Sequence, residues 1–245
     1  MTRYGMAIDL ERCMGCRACM VACKVENNTQ EGVFWMMLLR LEEGKYPNTK
    51  QSFLPRPCQH CDDAPCVMVC PTQARYVRED GIVATDWDKC IGCHYCQVAC
   101  PYGVNYFNDR DPSKNQYVDW SDTDLQVATN GANPAYENPD LELRYGPDNR
   151  HIAGGSHKMG VMEKCTFCVH RVEKALDPAC VTNCPVYALH FGDLDDPESQ
   201  VSMAIGAKPS FRLKDELNTQ PKVYYIGAPP PGGDTRQIEP VKGRE

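Results

Sequence analysis

Short runs of alternating apolar and polar residues recur along the chain, and each run leads into a loop rich in cysteine. Residues 4–13 (YGMAIDLERC) match residues 81–90 (GIVATDWDKC) in this pattern, and each segment predicts a short strand that enters such a loop. Residues 75–85 (RYVREDGIVAT) indicate two alternating strands joined at Asp80-Gly81, which is a strong hairpin signal. The repetition predicts duplicated structural units.

A longer apolar run lies between the first two cysteine-rich loops. Residues 33–41 (VFWMMLLRL) predict a strand with Phe34, Met36 and Leu38 on one face. We interpret this strand as part of the core in preference to a docking surface. Its length is far below that of a membrane-spanning helix, and Arg40 interrupts it.

The C-terminal third contributes three more elements. Residues 188–192 (ALHFG) match residues 74–77 (ARYV) as a strand that leaves a Cys-Pro turn. An amphipathic stretch is predicted near residues 203–205, and residues 223–226 (VYYI) predict a strand. The proline run that begins at Ala228 favours an extended tail, which either wraps a partner or is disordered.

Residues 108–158 lack any helical period and are rich in Asn, Asp, Pro and Gly. This composition predicts a long loop on the surface. The aromatic residues of the loop either anchor it to the core or contact a partner; they are Tyr117, Trp120, Tyr136 and Tyr145.

The sixteen cysteines carry the chemistry, because they form four groups of four with none left over. Three groups end in the same C-x3-C-P step, and the run C-x2-C-x2-C-x3-C-P is the ferredoxin signature for [4Fe-4S] ligation. The pattern therefore predicts four [4Fe-4S] clusters and an electron-transfer function. The groups are Cys13-Cys16-Cys19-Cys23, Cys58-Cys61-Cys66-Cys70, Cys90-Cys93-Cys96-Cys100 and Cys165-Cys168-Cys180-Cys184.

Two other uses of cysteine fit less well. A disulfide scaffold is disfavoured because the chain is long and its 16 cysteines in 245 residues are sparse for such a scaffold. Structural zinc suits an isolated C-x2-C pair, but the triplet Cys13/Cys16/Cys19 and the triplet that begins at Cys90 each supply a third ligand that zinc seldom uses.

The x3 gap before the fourth cysteine of a group spans about one helical turn. The proline that follows ends this turn in three groups, because the residue before a proline disfavours helix. These prolines are Pro71, Pro101 and Pro185, whereas Cys23 is followed by Lys24 and the first group lacks this stop.

Charge excludes one class of partner. The formal net charge is -7, and four cluster sites at roughly -2 each bring the loaded protein to about -15. A nucleic-acid partner is disfavoured, because phosphate binding requires a basic surface. One local basic segment is either a solvated face or a contact surface; it comprises Lys158, Lys164, His170, Arg171 and Lys174. The first twelve residues carry no signal-peptide pattern, and no apolar run reaches transmembrane length.

With the four groups placed, the chain resembles the four-cluster iron-sulfur subunit of the complex iron-sulfur molybdoenzymes. The resemblance covers about residues 4–107 and 160–226. It also extends to the iron-sulfur part of alternative complex III, through GVMEKCTFC at residues 160–168. The segments that carry it are CMGCRACMVAC, RPCQHCDDAPCVMVCPTQA, DWDKCIGCHYCQVACPYGV, MEKCTFCVHRV and PACVTNCPVYALHFGDLDDP.

The resemblance implies that the last cysteine of each group serves the cluster of a partner group, with group one paired to group four and group two to group three. Four ligand sets follow, named here A to D. Set A is Cys90, Cys93, Cys96 and Cys70; set B is Cys58, Cys61, Cys66 and Cys100. Set C is Cys165, Cys168, Cys180 and Cys23; set D is Cys13, Cys16, Cys19 and Cys184. Because Cys93 is present, the resemblance implies four [4Fe-4S] clusters and no [3Fe-4S] centre.

The expected fold is α+β, with two ferredoxin-like double-cluster modules built from short strands and helical turns. Residues 1–50 and 159–200 form the first module, and residues 51–107 form the second. Residues 108–158 are a loop insertion, and residues 201–245 are a C-terminal extension that ends in the extended tail.

The expected function is passage of single electrons between a large molybdopterin-type catalytic subunit and an integral-membrane quinone-binding subunit. The chain would then be a peripheral, non-catalytic subunit without a membrane span, cytoplasmic or co-exported with a signal-bearing partner. An alternative complex III-like role and a free-standing polyferredoxin stay open. No acid-base pair stands out, and His60, His94 and His170 are interpreted as neighbours of the ligands in preference to ligands.

Overall fold

The computed structural model describes residues 2–110, 127, 144–153 and 157–229 and has a mixed α+β architecture. The strands are β1 (Tyr4–Asp9), β2 (Met37–Lys45), β3 (Asn48–Arg56), β4 (Arg75–Val77), β5 (Val83–Thr85), β6 (Tyr106–Asn108), β7 (Arg144–Tyr145), β8 (Arg150–His151), β9 (Val161–Glu163), β10 (Leu189–Asp193), β11 (Ser210–Arg212) and β12 (Val223–Ile226). The helices are α1 (Ala18–Glu26), α2 (Pro65–Met68), α3 (Tyr95–Ala99), α4 (Val169–Val172), α5 (Ala179–Thr182) and α6 (Gln200–Ala207).

A four-stranded sheet joins the two ends of the described chain in the order β10-β1-β12-β11. Strand β1 pairs antiparallel with β10 and parallel with β12. Both faces of β1 are covered, since Met6 and Ile8 belong to the main core while Ala7 packs with Val201 of α6. The strands predicted from residues 4–13, 188–192 and 223–226 are confirmed. Strands β11 and β12 of the C-terminal segment are thus integral to this sheet.

Helix α6 confirms the amphipathic stretch near residues 203–205 and extends it to Gln200–Ala207. It begins at a serine cap, because Ser199 Oγ accepts a hydrogen bond from the Ser202 amide at 3.2 Å. A cap of this kind stabilises a helix by about 1 kcal/mol.

The hairpin predicted in residues 75–85 is present, with β4 and β5 antiparallel and Val77 opposite Val83. Gly81 lies in the turn with φ 77°, which is the left-handed conformation that glycine adopts without strain.

The strand predicted over residues 33–41 was partly wrong. Strand β2 begins only at Met37 and continues to Lys45, where it turns into β3, which the sequence did not predict. The reason is local: Val33 is held in a turn, because its amide donates to the Gln30 carbonyl at 3.1 Å and its carbonyl accepts from Thr29 Oγ1 at 2.9 Å. The core interpretation holds for Met36 and Leu38, which are buried, whereas Phe34 is only half-buried.

The short helices at the cysteine groups agree with the predicted helical turn in the x3 gap. Helices α2, α3 and α5 have four or five residues and end before a Cys-Pro step, while α1 has nine residues and runs past Cys23 to Glu26. The missing proline after Cys23 therefore accounts for the longer helix.

The insertion at 108–158 is closed at its base by pairing of β6 with β9. Tyr145 lies in the β7–β8 hairpin and is buried, so it anchors the segment. The other three aromatic residues of the insertion, and the tail after Pro229, lie outside the described residues. Within the described ranges, no helix has the length and apolar character needed to cross a bilayer.

The basic segment expected near residues 158–174 is not a continuous solvated face. Lys164 and His170 are buried, because β9 and α4 place them against the core, while Lys158 is exposed and contacts Asp88.

Candidate metal centres

A common backbone geometry recurs in all four cysteine groups. The residue before the second cysteine has a positive φ in each case: Gly15 at 73°, His60 at 46°, Gly92 at 67° and Phe167 at 53°. The third cysteine is then the second residue of a short helix in every group. Four loops of different sequence thus curl back in the same way, which turns their cysteines toward a common interior. The third cysteines are Cys19, Cys66, Cys96 and Cys180.

Backbone amides point at the sulfurs of these loops. Ala188 donates to Cys184 Sγ at 3.2 Å, and Phe167 donates to Cys165 Sγ at 3.4 Å. Further amide donors are His60 to Cys58, Arg75 to Cys70 and Met162 to Cys90, at 3.4 to 3.5 Å. An N–H donor favours the thiolate over the thiol, and the thiolate is the form that binds metal.

Burial opposes ionisation at most of these thiols, as expected for sulfurs in an apolar interior. It raises the pKa of Cys61 and of Cys165 to about 12 each. At Cys70 burial also acts to raise the pKa, but donors from Arg75 and Thr72 outweigh it and lower the pKa. Buried thiols of high pKa require a cationic partner before they ionise, and an iron centre would supply one.

In sets C and D, sulfurs from different cysteine groups affect each other's pKa. Burial raises the pKa of Cys13, and the neighbouring Cys184 and Cys16 raise it further. Burial holds the pKa of Cys23 well above its usual value, and Cys165 and Cys168 add to this effect.

The same crossing occurs in sets A and B. After burial, Cys58 raises the pKa of Cys61, with smaller effects from Cys66 and Cys100. Cys96 has Cys90 and Cys70 as its thiol neighbours. In each set the fourth cysteine of one group therefore lies near the leading cysteines of another.

One cavity is lined by all four cysteines of set B, together with apolar residues, Gln59, Asn105 and Lys164. Four thiols that face a shared apolar cavity, with amides aimed at sulfur, fit a cubane cluster. Within the described ranges, no group of three or more His, Cys, Asp or Glu side chains is placed to hold a single metal ion.

The sets differ in exposure. Every cysteine of set C is buried, as are three of set B, whereas Cys16 of set D and Cys93 of set A are exposed. Exposed apolar residues flank both of the exposed cysteines: Met14 and Val21 near Cys16, and Ile91 and Val98 near Cys93.

Each of the three histidines close to cysteines in the sequence has one ring nitrogen in contact with a group other than a cysteine sulfur. His60 is fully buried and its Nδ1 accepts the Val83 amide at 3.1 Å, so the ring is neutral; burial, with Lys164, holds its pKa well below the usual value. His170 Nε2 lies 3.0 Å from Glu26 Oε1. His94 is exposed and contacts Gln97 at 2.8 Å.

Three polar residues near the sulfurs were missed by sequence reasoning. Asn27 Nδ2 lies 3.6 Å from Cys23 Sγ and 3.7 Å from Cys168 Sγ. Its position four residues after Cys23, one helical turn along α1, was a usable signal. Arg75 donates to Cys96 Sγ at 3.3 Å, and Lys164 lines the set B cavity. Nothing in the sequence marked either cation as buried.

Comparison with known proteins assigns the family. A 4Fe-4S dicluster domain model matches residues 49–132 and 151–194, and a 4Fe-4S binding domain model matches residues 4–25. The chain is 42% identical to the arsenate respiratory reductase iron-sulfur subunit of Shewanella sp. (strain ANA-3), covering 91% of this chain and 96% of that protein.

Two other relatives have similar identity. One is a putative dimethyl sulfoxide reductase iron-sulfur subunit of Halobacterium salinarum, 42% identical over 92% of this chain and 79% of that protein. The other is a subunit of the selenate reductase of Mesobacillus selenatarsenatis, 41% identical over 90% of this chain and 70% of that protein. With its cysteine loops and 4Fe-4S domains, the chain belongs to the family of electron-transfer iron-sulfur subunits of the complex iron-sulfur molybdoenzymes.

Proposed function

We propose that this chain carries single electrons through four [4Fe-4S] clusters held by sets A to D, between a molybdopterin-type catalytic subunit and a membrane quinone-binding subunit. One observation carries the proposal: the fourth cysteine of each group lies beside the leading cysteines of its partner group. Cys184 beside Cys13 and Cys100 beside Cys61 are examples. If each group held its own cluster, its fourth cysteine would lie beside the other three cysteines of the same group.

When bound, each cluster accepts and releases one electron at a time. The chain supplies thiolate ligands, amide donors to sulfur, and an interior that excludes water around sets B and C. The sets follow in the order A, B, C, D. Arg75 acts on sulfurs of both A and B. Burial raises the pKa of Cys165 of C, and Cys58 of B adds to the rise. Burial also raises the pKa of Cys180 of C, and Cys19 of D adds a smaller effect. This order favours a linear path.

The two ends of the path support contact with other subunits. Cys93 of set A and Cys16 of set D are exposed, and each is flanked by exposed apolar side chains. An apolar surface next to a redox centre suits a protein interface that excludes water. A freely diffusing polyferredoxin would leave both surfaces in solvent.

The substrate of the complex belongs to the catalytic partner. Relatives named for arsenate, dimethyl sulfoxide and selenate are 42%, 42% and 41% identical to this chain, so the electron-transfer subunit is reused with different substrates. We assign the chain to the membrane surface as a peripheral subunit, cytoplasmic or co-exported with a partner. The two-module division, residues 1–50 with 159–200 and residues 51–107, belongs to the same proposal.

A second candidate is the iron-sulfur subunit of an alternative complex III-like quinol oxidoreductase, a class that lacks a working molybdenum site. It is favoured by a 36% identity to the menaquinone reductase cluster-binding subunit of Nitratidesulfovibrio vulgaris, over 91% of this chain and 88% of that protein. Metal analysis of the intact complex, purified anaerobically in mild detergent, separates the two. Molybdenum or tungsten supports the first candidate, iron alone supports the second, and stoichiometric zinc would exclude four clusters.

The ligand sets are tested by comparing single Cys→Ser variants of the complex by electron paramagnetic resonance. Crossed ligation predicts that Cys100→Ser and Cys58→Ser alter the same signal, and that Cys70→Ser and Cys93→Ser alter a different one. If ligands stay within their own group, Cys100→Ser instead alters the same signal as Cys93→Ser. That second outcome would overturn the crossed sets while leaving the cluster count intact.

A further inference from the structure

Two cations are buried at the junctions between successive sets. Arg75 and Lys164 are each 2% exposed. Arg75 lies between sets A and B, and Lys164 lies between sets B and C. A buried charge is strongly destabilising unless a counter-charge accompanies it, so each of these positions requires an explanation.

Neither cation is neutralised by a carboxylate in the part of the chain that the structure describes. Arg75 Nη1 donates to Asn105 Oδ1 at 2.7 Å, its Nη2 donates to Cys96 Sγ at 3.3 Å, and its Nε has no partner there. Lys164 Nζ donates to two backbone carbonyls, those of Val83 and Cys165.

A third buried cation shows the usual alternative. Lys222 is 1% exposed, and its Nζ pairs with Asp62 Oδ1 at 2.6 Å. The chain thus supplies a carboxylate to this third buried cation. At Arg75 and Lys164 the available anions are the thiolates and the clusters that they hold.

The positive charges act on sulfurs of the sets on both sides. Burial raises the pKa of Cys66 in set B to about 11, and Arg75 and Lys164 both oppose the rise. Arg75 also acts to lower the pKa of Cys96 in set A, and Lys164 that of Cys165 in set C. Set B is thus the one set here that borders both cations.

We propose that Arg75 and Lys164 are positioning charges that raise the reduction potentials of the clusters on either side of them, and that set B, which borders both, is raised most. One-electron reduction of a cluster by its neighbour adds one negative charge, and a fixed cation nearby stabilises that charge. The inference rests on the proposed ligand sets.

The test is a potentiometric titration of the purified complex, followed by electron paramagnetic resonance, with signals assigned through the Cys→Ser variants. Arg75→Gln is expected to lower the midpoint potentials of the A and B signals and leave D unchanged. Lys164→Gln is expected to lower the midpoint potentials of the B and C signals and leave that of D unchanged. Arg78→Gln is the matched control, because Arg78 pairs with Asp80 and Glu173 instead of sulfur; its potentials should equal those of the wild type.

A second variant keeps the test valid if Arg75→Gln fails to assemble. Asn105→Asp places a carboxylate of similar size against the Arg75 guanidinium and neutralises the charge of that group. This variant is expected to lower the midpoint potentials of the A and B signals together. Loaded clusters whose A and B potentials do not move, or a D potential that moves as far as B, would overturn the inference. Failure of the ligand sets is distinguishable, because it changes which signals vanish, whereas this test reads shifts in the signals that remain.

Discussion

Gly92 provides a sharp test of the loop geometry that positions the set A cysteines. It lies between Cys90 and Cys93 with φ 67°, and a Cβ at this position would stand 2.3 Å from the Gly160 carbonyl oxygen and 3.0 Å from Phe107 Cε2. The nearest obstacle is backbone, which cannot rotate away as a side chain can. We therefore expect Gly92→Ala to displace the loop from β9 and its preceding turn.

The magnitude follows from two contributions. A non-glycine residue in the left-handed region costs about 1–2 kcal/mol. Forcing an extra carbon into a packed site adds about 1–3 kcal/mol. Gly103 is the matched control, since it follows Cys100 with φ 62° and its Cβ would meet nothing within 4 Å. Gly103→Ala should therefore carry only the first cost, and the two variants should differ by about 1–3 kcal/mol.

The assay is the rate at which iron is lost to a chelator from the anaerobic complex, followed by bleaching of the visible iron-sulfur absorption. When loss requires local opening of the loop, a difference of this size corresponds to roughly 5-fold to 150-fold in rate. Equal rates for the two alanine variants would refute the steric argument at Gly160. A wild-type rate for Gly92→Ala would refute the loop geometry itself.

Three further predictions concern the packing around the clusters. Burial acts to lower the pKa of His157, but Glu163 and the Asn27 carbonyl outweigh it and raise the pKa. The protonated histidine therefore stabilises the fold fully below its unfolded pKa of ~6.5, and this stabilisation is lost as pH rises through the folded pKa. The thermal stability of the wild-type complex should fall over that pH range, and that of His157→Gln should change less. Removing iron should abolish the near-ultraviolet circular dichroism of the isolated chain, whereas a cooperative thermal transition in cluster-free protein would contradict this dependence. Ser199→Ala should destabilise α6 by about 1 kcal/mol, seen as faster amide exchange there than in α1.

The sequence was sufficient for the features that depend on local pattern. The strands β1, β10 and β12 and the hairpin at Gly81 follow from alternation and turn chemistry. The extra length of α1 follows from the lysine that replaces proline after Cys23. The missed strand β3 shows the limit, since its outer half is polar and exposed and its pairing with β2 is a tertiary choice.

The cations beside the sulfurs were beyond sequence reasoning for a different reason. Lys164 precedes Cys165 in a segment with several basic residues, and composition alone indicated a surface patch there. Its burial follows from β9, which pairs with β6 and carries the following residues into the core. The burial of a side chain and the groups that surround it depend on tertiary packing. The same residue type can therefore be a solvated surface charge or a buried charge beside a redox centre.

The residue before the second cysteine needs a positive φ in every group, and the groups differ in the residue type that adopts it. Groups one and three use Gly15 and Gly92, which adopt a positive φ at no steric cost. Groups two and four use His60 and Phe167, where the left-handed conformation costs about 1–2 kcal/mol each.

These two strained residues stack on each other, with ring centroids 3.8 Å apart. An aromatic contact of this kind stabilises by about 0.5–1.5 kcal/mol beyond the area it buries. It therefore offsets part of the strain and fixes the loop of group two against that of group four. Because these loops carry Cys58 of set B and Cys165 of set C, the strained pair holds the two buried sets in contact at the centre of the proposed path.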